Sequence, residues 1–288
     1  MTRPGGAPAV PPPDMLSPMT SALPTPMTGR TTSRKALVRR PSPRLADGLV
    51  THIDRTPVDP ALALRQWEVY VVALRAHGWE TVELPALDDC PDGVFVEDTM
   101  VVYRNVAVIG RPGAESRRPE TATAEEAVTG LGCSLNRIRE PGTLDGGDVL
   151  KIGDTLYVGR GGRTNGDGIR QLRAALEPLG ARVVAVPVSK VLHLKSAVTA
   201  LPDGTVIGYP PLVDDPAACP RFLPVPEESG AHVVLLGGGK LLMAASAPRS
   251  AELFADLGYE PVPVDISEFE KMEGCVTCLS VRLRELYG

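Results

Sequence analysis

Cysteine is scarce in this chain. Five thiols in 288 residues (Cys90, Cys133, Cys219, Cys275 and Cys278) are an odd, thinly spread set, which excludes a disulfide framework and fits reduced thiols in a cytosolic setting. Long apolar runs are missing as well. No stretch approaches the ~18 apolar residues of a membrane span, and the N-terminal MTRPGGAPAVPPPDMLSPMTSALPTPMTGRTTSR lacks the apolar segment of a signal peptide. No block of Lys or Arg rises above the background and the formal net charge is -5, so there is no electrostatic case for nucleic acid or an anionic membrane as partner. Cys275 and Cys278 lack the second Cys pair or His pair that a zinc site needs. The glycines of GGGK at 237–240 and of GRGGRTNGDG at 159–168 match no nucleotide-binding motif. These absences leave a small ligand, with a cationic one open, and imply no metal or cofactor.

What the chain does have is 43% hydrophobic residues, enough for a substantial core. Residues 1–33, rich in Pro, Thr and Ser, cannot bury the surface needed to order themselves. They read as a disordered tail in which Met19 and Met27 are alternative starts. Residues 34–288 read as one domain built on a repeated order of elements. Four stretches, from Val94, Leu144, Leu192 and His232, each hold two β-rich runs around a short turn (RN, GD, PDG and GGGK). They recur every ~40 to 50 residues, the spacing of a radial repeat. Periodicity predicts helices over 60–78, 168–180 and 250–258, each followed by a strand (TVELP, ARVVAVPV and YEPVPVD). The pattern around 117–131 is weak, and none is placed between Gly208 and Gly230. CLSVRL from Cys278 supplies half of a fifth hairpin and KALVRR near residue 35 the other half, which closes a ring of five α/β units and removes its sheet edges. The alternative is an irregular α+β domain.

Polar residues open successive units: Glu97 and Asp98, then Asp145 and Asp148, then His193, and finally Cys278. A ring aims them at one axis and so assembles a thiol nucleophile, a base and carboxylates, the set that covalent catalysis by cysteine requires. A free thiol, with a pKa of ~8.5, is barely ionised at neutrality, and carboxylates beside it suppress it further unless a positive charge joins them. A guanidinium substrate satisfies the carboxylates and stabilises the thiolate together. Two loop arginines, Arg117 of RPGAESRRPE and Arg163 of GRTNGDG, are candidates to hold a carboxylate at the substrate's other end.

FVED, LDGGDVL, RTN, LHLKS and the terminal GCVTC, in that order, resemble the dimethylarginine dimethylaminohydrolases from residue 35 to the end. The resemblance implies the family's fold, the five-bladed α/β propeller or pentein. It makes Cys278 the nucleophile, His193 the proton donor and later the base, and Asp145 the acid that orients the histidine. Asp98 would bind the guanidinium with Glu97 beside it. Asp92 and the main chains of Leu49 and Met272 would meet the α-amino group, and Arg117 and Arg163 would take the carboxylate. The implied reaction converts methylated arginine to citrulline and dimethylamine or methylamine through a covalent thiouronium, with no metal or organic cofactor. The N-terminal tail has no counterpart in the family pattern. Arginine deimination and amidino transfer, activities of the same superfamily, would keep the triad and change the pocket, whereas a silent binding propeller would need no triad. Monomer and homodimer both stay open.

The remaining polar residues take plain roles. Cys275, three residues before Cys278, is expected on the opposite face of a strand, and the pair does not open a helix after a strand as a thioredoxin-like redox motif does. His52, His77 and His232 are expected to be solvated or satisfied, and Arg118 to be a solvated neighbour of Arg117. Asp148 is expected to bond the backbone of the GG turn.

Overall fold

The computed structural model describes residues 1–2, 33–219 and 221–286, so the expected N-terminal tail lies almost wholly outside the described residues. From residue 33 onward the chain forms one compact unit. Its strands are β1 (Ser33–Val38), β2 (Glu80–Glu83), β3 (Met100–Tyr103), β4 (Val106–Ile109), β5 (Ser134–Arg137), β6 (Val149–Ile152), β7 (Thr155–Arg160) and β8 (Arg182–Pro187). They continue with β9 (Val198–Ala200), β10 (Val206–Gly208), β11 (Phe222–Pro224), β12 (Val233–Gly237), β13 (Lys240–Ala244), β14 (Glu260–Val264) and β15 (Val281–Leu286). These make five three-stranded sheets of one design. An antiparallel hairpin comes first, and a third strand then returns parallel to the hairpin's second strand. In the fifth sheet the hairpin is β15 with β1, and β2 is its parallel third strand.

Helices carry four of the five crossovers: α1 (Pro60–Ala76), α2 (Thr121–Gly130), α3 (Gly166–Leu176) and α4 (Pro248–Asp256). Their ends follow local chemistry. Asp59 caps α1 by accepting from Ala61 N at 2.9 Å and Leu62 N at 3.1 Å, with Pro60 in the first turn. Asn165 caps α3 by accepting from Gly168 N at 2.8 Å, which starts that helix two residues before the expected position. The chain then tightens over Glu177–Leu179 and stops at Gly180, whose φ of 93° is left-handed. The weak pattern at 117–131 resolves into a 3-10 segment, Glu115–Glu120, leading into α2. The third crossover has only two 3-10 turns, Pro210–Leu212 and Pro216–Ala218, in keeping with its missing helical period.

The core is divided among the gaps between sheets. On β4, Val106 and Val108 pack with Val149 and Val158 of the following sheet, while Ala107 and Ile109 face Leu37 and Val281 of the preceding one. Alternate residues of one strand thus bury against two different neighbours, and the strands read as near-continuous apolar runs for that reason. Further clusters join the second sheet to the third, the third to the fourth, and the fourth to the fifth. Five gaps filled by five clusters make a closed ring. The fold is a five-bladed α/β propeller, and the irregular α+β alternative does not hold.

Candidate active site

The polar residues expected at the strand starts sit one turn earlier. Single 3-10 turns at Val96–Thr99, Gly146–Asp148 and Leu194–Ser196 lead into β3, β6 and β9, and a turn at residues 275–278, closed by Cys278 N donating to Cys275 O at 3.1 Å, precedes β15. Both faces of strands such as β3 and β4 are buried in the gaps between blades, and it is the turns before the strands that bring these polar side chains together. Glycine is what lets the turns close in. A Cβ on Gly147 would lie 2.6 Å from Asp98 Oδ1 and from His193 Nδ1, and one on Gly146 would lie 2.0 Å from the Glu97 carbonyl oxygen.

His193 is 2% exposed and is held between two carboxylates. Its Nε2 lies 3.1 Å from Asp145 Oδ2, and its Nδ1 lies 3.7 Å from Asp98 Oδ1. Asp145 is fixed by Gly113 N donating to its Oδ1 at 2.9 Å, and its own N–H donates to Thr164 Oγ1 at 3.1 Å. The RTN motif therefore ties Asp145 through Thr164 and caps α3 through Asn165. Burial alone would push the His193 imidazole down, but Asp98, the Asp145 hydrogen bond and Asp148 outweigh it and raise the pKa from 6.5 to about 9. Burial would likewise push the Asp98 carboxyl up, but His193 and Arg117 draw it down from 3.8 to about 2. His193 is thus an imidazolium at neutral pH, an acid ready to protonate a leaving amine.

A folded-state pKa raised in this way stabilises the protein fully below about 6.5, and the contribution is lost as the pH rises through about 9. Urea unfolding followed from pH 6.5 to 9.5 should lose on the order of 3 kcal/mol that His193→Gln does not lose over the same range. Equal pH dependence in the two proteins would remove the charged imidazole from the account.

Cys278, His193, Asp98, Asp92, Arg117, Arg163, Leu49 and Met272 all line one cavity of about 20 Å3, room for about one water. Asp92 accepts from Leu49 N at 3.1 Å. Arg163 Nη1 is buried in the cavity wall without a hydrogen-bond partner among the described residues. Two expected residues are placed differently. Glu97 does not line this cavity: next to Asp98 in the same turn it points elsewhere, where Lys195 at 2.6 Å and Arg282 at 2.8 Å neutralise it. Arg117, expected to be free for a carboxylate, donates to Asp98 Oδ2 at 2.6 Å and to Glu120 at 2.8 Å, and also reaches the carbonyls of Asp92 and Phe95. Its charge already serves the buried carboxylates.

Asp148, expected to bond the backbone of the glycine turn, instead accepts from Leu194 N at 3.0 Å through its Oδ1. Cys275 departs furthest from its expected place. Because residues 275–278 form a turn and not a strand, alternation does not apply, and the two sulfurs lie 3.4 Å apart. The S–H···S bond eases loss of one proton from the pair and burial with that bond holds back the other.

Two comparisons bear on what this arrangement is. The N(G),N(G)-dimethylarginine dimethylaminohydrolase of Streptomyces coelicolor is 78% identical over 255 residues, covering 88% of this chain and 99% of that protein. Its namesake in Pseudomonas aeruginosa is 38% identical over 250 residues, covering 85% and 98%. The chain belongs to the dimethylarginine dimethylaminohydrolase family. No family model matches it. A solved dimethylarginine dimethylaminohydrolase, the cysteine-to-serine variant of the Pseudomonas aeruginosa protein complexed with citrulline, shares 36% identity and a TM-score of 0.82 over 88% of this chain and 99% of that one. The product-bound N-terminal domain of a cyanobacterial arginine dihydrolase, at 20% identity, has the same fold with a TM-score of 0.77 over 87% of this chain and 97% of that one.

For a dimethylarginine dimethylaminohydrolase family member read from sequence, several supporting residues escaped notice. Glu273, whose φ of 58° is left-handed, accepts from Thr51 N at 2.8 Å and His52 N at 2.6 Å, tying the segment after Leu49 across the cavity. Glu120 holds Arg117, and Lys195 and Arg282 hold Glu97; such pairings carry no local signature, although the left-handed residue in MEGC is a hint of a tight turn. Ligand atoms of Asp98, Asp145 and His193 lie within 4.8 Å of one another, a spacing that a metal ion can bridge. The imidazole already spans both carboxylates, and Asp98 also carries Arg117 and Gly147 N at 2.9 Å. Among the described residues no helix is long and apolar enough to cross a membrane.

Proposed function

We propose that the protein hydrolyses arginine methylated on its terminal guanidino nitrogen, releasing citrulline and dimethylamine or methylamine. The observation that carries this reading is the buried cavity shared by Cys278, His193 and Asp98, where a thiol, an imidazolium and a carboxylate converge. The two relatives named above and the citrulline complex support the same chemistry. Cys278 thiolate attacks the guanidinium carbon. His193, oriented by Asp145, protonates the departing amine as the C–N bond breaks and a thiouronium on Cys278 remains. His193, now neutral, takes a proton from water as it attacks that carbon, and the thiolate leaves as citrulline forms.

Asp98 pairs with the substrate guanidinium. Asp92 and the main chains of Leu49 and Met272 meet the α-amino group. Arg163, with its unpartnered Nη1, takes the carboxylate, and Arg117 adds charge from behind while it holds Asp98. Glu97 acts from outside the cavity by supporting the turn, since its N–H donates to Cys278 O at 3.1 Å. A dimethylated nitrogen has no N–H, so a partly apolar pocket there would disfavour free arginine by leaving its donors unpaired. Five free thiols suit a reducing cytoplasm.

Citrulline release from asymmetric dimethylarginine, monomethylarginine and arginine, measured in parallel, tests the reading. Turnover of the methylated substrates with little from arginine is expected. Arginine as the preferred substrate would move the protein to the deiminases, and no turnover of any would leave amidino transfer or a binding role.

A further inference from the structure

The reaction above needs one thiol, yet two stand together. Cys275 Sγ lies 3.4 Å from Cys278 Sγ, and Cys275 also contacts Thr277 Oγ1 at 3.2 Å. The backbone bond from Cys278 N to Cys275 O at 3.1 Å closes a four-residue turn, which holds the two Cα atoms within about 7 Å. A disulfide tolerates Cα separations of about 4.4–6.8 Å, so side-chain rotation can bring the sulfurs to ~2.05 Å with the chain left in place.

The two sulfurs also have different surroundings. Cys278 lines the small cavity with His193, whereas Cys275 lines a separate cavity of about 490 Å3 together with His52, Lys190 and His232. The two cavities share Leu192, Glu273 and Gly274 as a common wall. A small oxidant therefore has a route to Cys275 that does not pass through the substrate site. His232 favours the charged form of Cys275, after the hydrogen bond from Cys278, and the thiolate is the form that reacts with peroxide.

We propose that Cys275 and Cys278 form a reversible disulfide under peroxide, which switches the enzyme off and shields its nucleophile from irreversible oxidation. Cys275 thiolate takes an OH from hydrogen peroxide, forming sulfenic acid as the O–O bond breaks, and the other oxygen leaves as hydroxide, which becomes water by taking up the proton that Cys275 gave up. Cys278 thiolate attacks that sulfur, the S–S bond forms, and the hydroxyl leaves as a second water with the proton that Cys278 gave up. Two thiols and one peroxide thus give one disulfide and two waters. A dithiol reductant reverses the bond by returning two electrons and two protons. The loss of activity rests on Cys278 being the nucleophile, while bond formation between the two sulfurs does not.

The test starts from reduced, full-length protein freed of reductant and treated with graded hydrogen peroxide. Citrulline release, the free-thiol count and the mass of the peptide holding residues 275–278 are followed together, before and after dithiothreitol. Activity should fall at least about tenfold as free thiols drop from five to three and the peptide loses two hydrogens, and dithiothreitol should restore all three readouts. In Cys275→Ala, peroxide should add oxygens to Cys278, and dithiothreitol should recover little of that variant's own starting activity. Wild-type protein that gains oxygens and stays inactive after dithiothreitol would overturn the disulfide. A disulfide that forms while turnover continues would overturn the switch together with Cys278 as nucleophile, and the mass readout separates that outcome from the first.

Discussion

Serine in place of Cys278 should reduce citrulline release by about 10⁴-fold or more while leaving the fold and product binding in place. The argument is one of ionisation. A thiol that shares its cavity with an imidazolium and meets an incoming guanidinium has cations to stabilise its anion, whereas a serine hydroxyl in the same 6%-exposed position has no comparable route to an alkoxide. His193 is already protonated up to about 9, so it serves as the acid for the leaving amine and is not free to act as base toward a hydroxyl. Steady-state turnover of asymmetric dimethylarginine, with citrulline binding by calorimetry as the control for an intact cavity, checks this. Residual activity above a few per cent of wild type would mean that bond breaking does not go through this sulfur.

Asp98→Asn should have the next largest effect, because one carboxylate serves two buried cations. It pairs with Arg117 at 2.6 Å and faces His193 Nδ1 at 3.7 Å, and the substrate guanidinium is proposed to use it as well. The neutral amide leaves Arg117 with Glu120 as its remaining ion pair and removes the strongest of the influences that raise the His193 pKa. Breaking a buried pair on one side costs about 3–5 kcal/mol. We expect a fall in kcat/KM of about 10²–10³-fold, an alkaline limb displaced to lower pH by about one unit or more, and a lower urea midpoint. The displaced limb is the diagnostic part. An unchanged pH profile would show that Asp98 does not tune the histidine, whatever it does for binding.

Much of this architecture is legible in the chain because each blade repeats a short-range grammar. RN, GD, PDG and GGGK mark the hairpin turns, and continuous apolar runs such as VAVI of β4 announce strands buried on both faces. Asp145, His193 and Cys278 could be read because each stands at the same point of its unit. What stayed hidden depends on direction more than on identity. Glu97 and Asp98 are adjacent in sequence, yet the 3-10 turn sends one into the cavity and the other to Lys195 and Arg282. Arg117 was recognised as important, but its partner Glu120 lies on the same 3-10 segment and only three-dimensional packing shows that the two are joined. Cys275 escapes strand alternation because the chain turns there, Cys278 N donating to Cys275 O.

The pairing of β15 with β1 also bears on how the catalytic thiol comes into being. In an unstructured chain, bringing Val281 back to Leu37, its partner in the sheet, costs roughly 5 kcal/mol in loop-closure entropy, and such distant pairings slow folding. Four blades built from nearly local hairpins can form first and carry the two ends to the same edge. If they do, the fifth blade closes last, and that closure brings Cys278 to the cavity it shares with His193. Partly folded chains would therefore hold His193 and its carboxylates but lack a placed nucleophile, so reactivity and completion of the fold arrive in the same step.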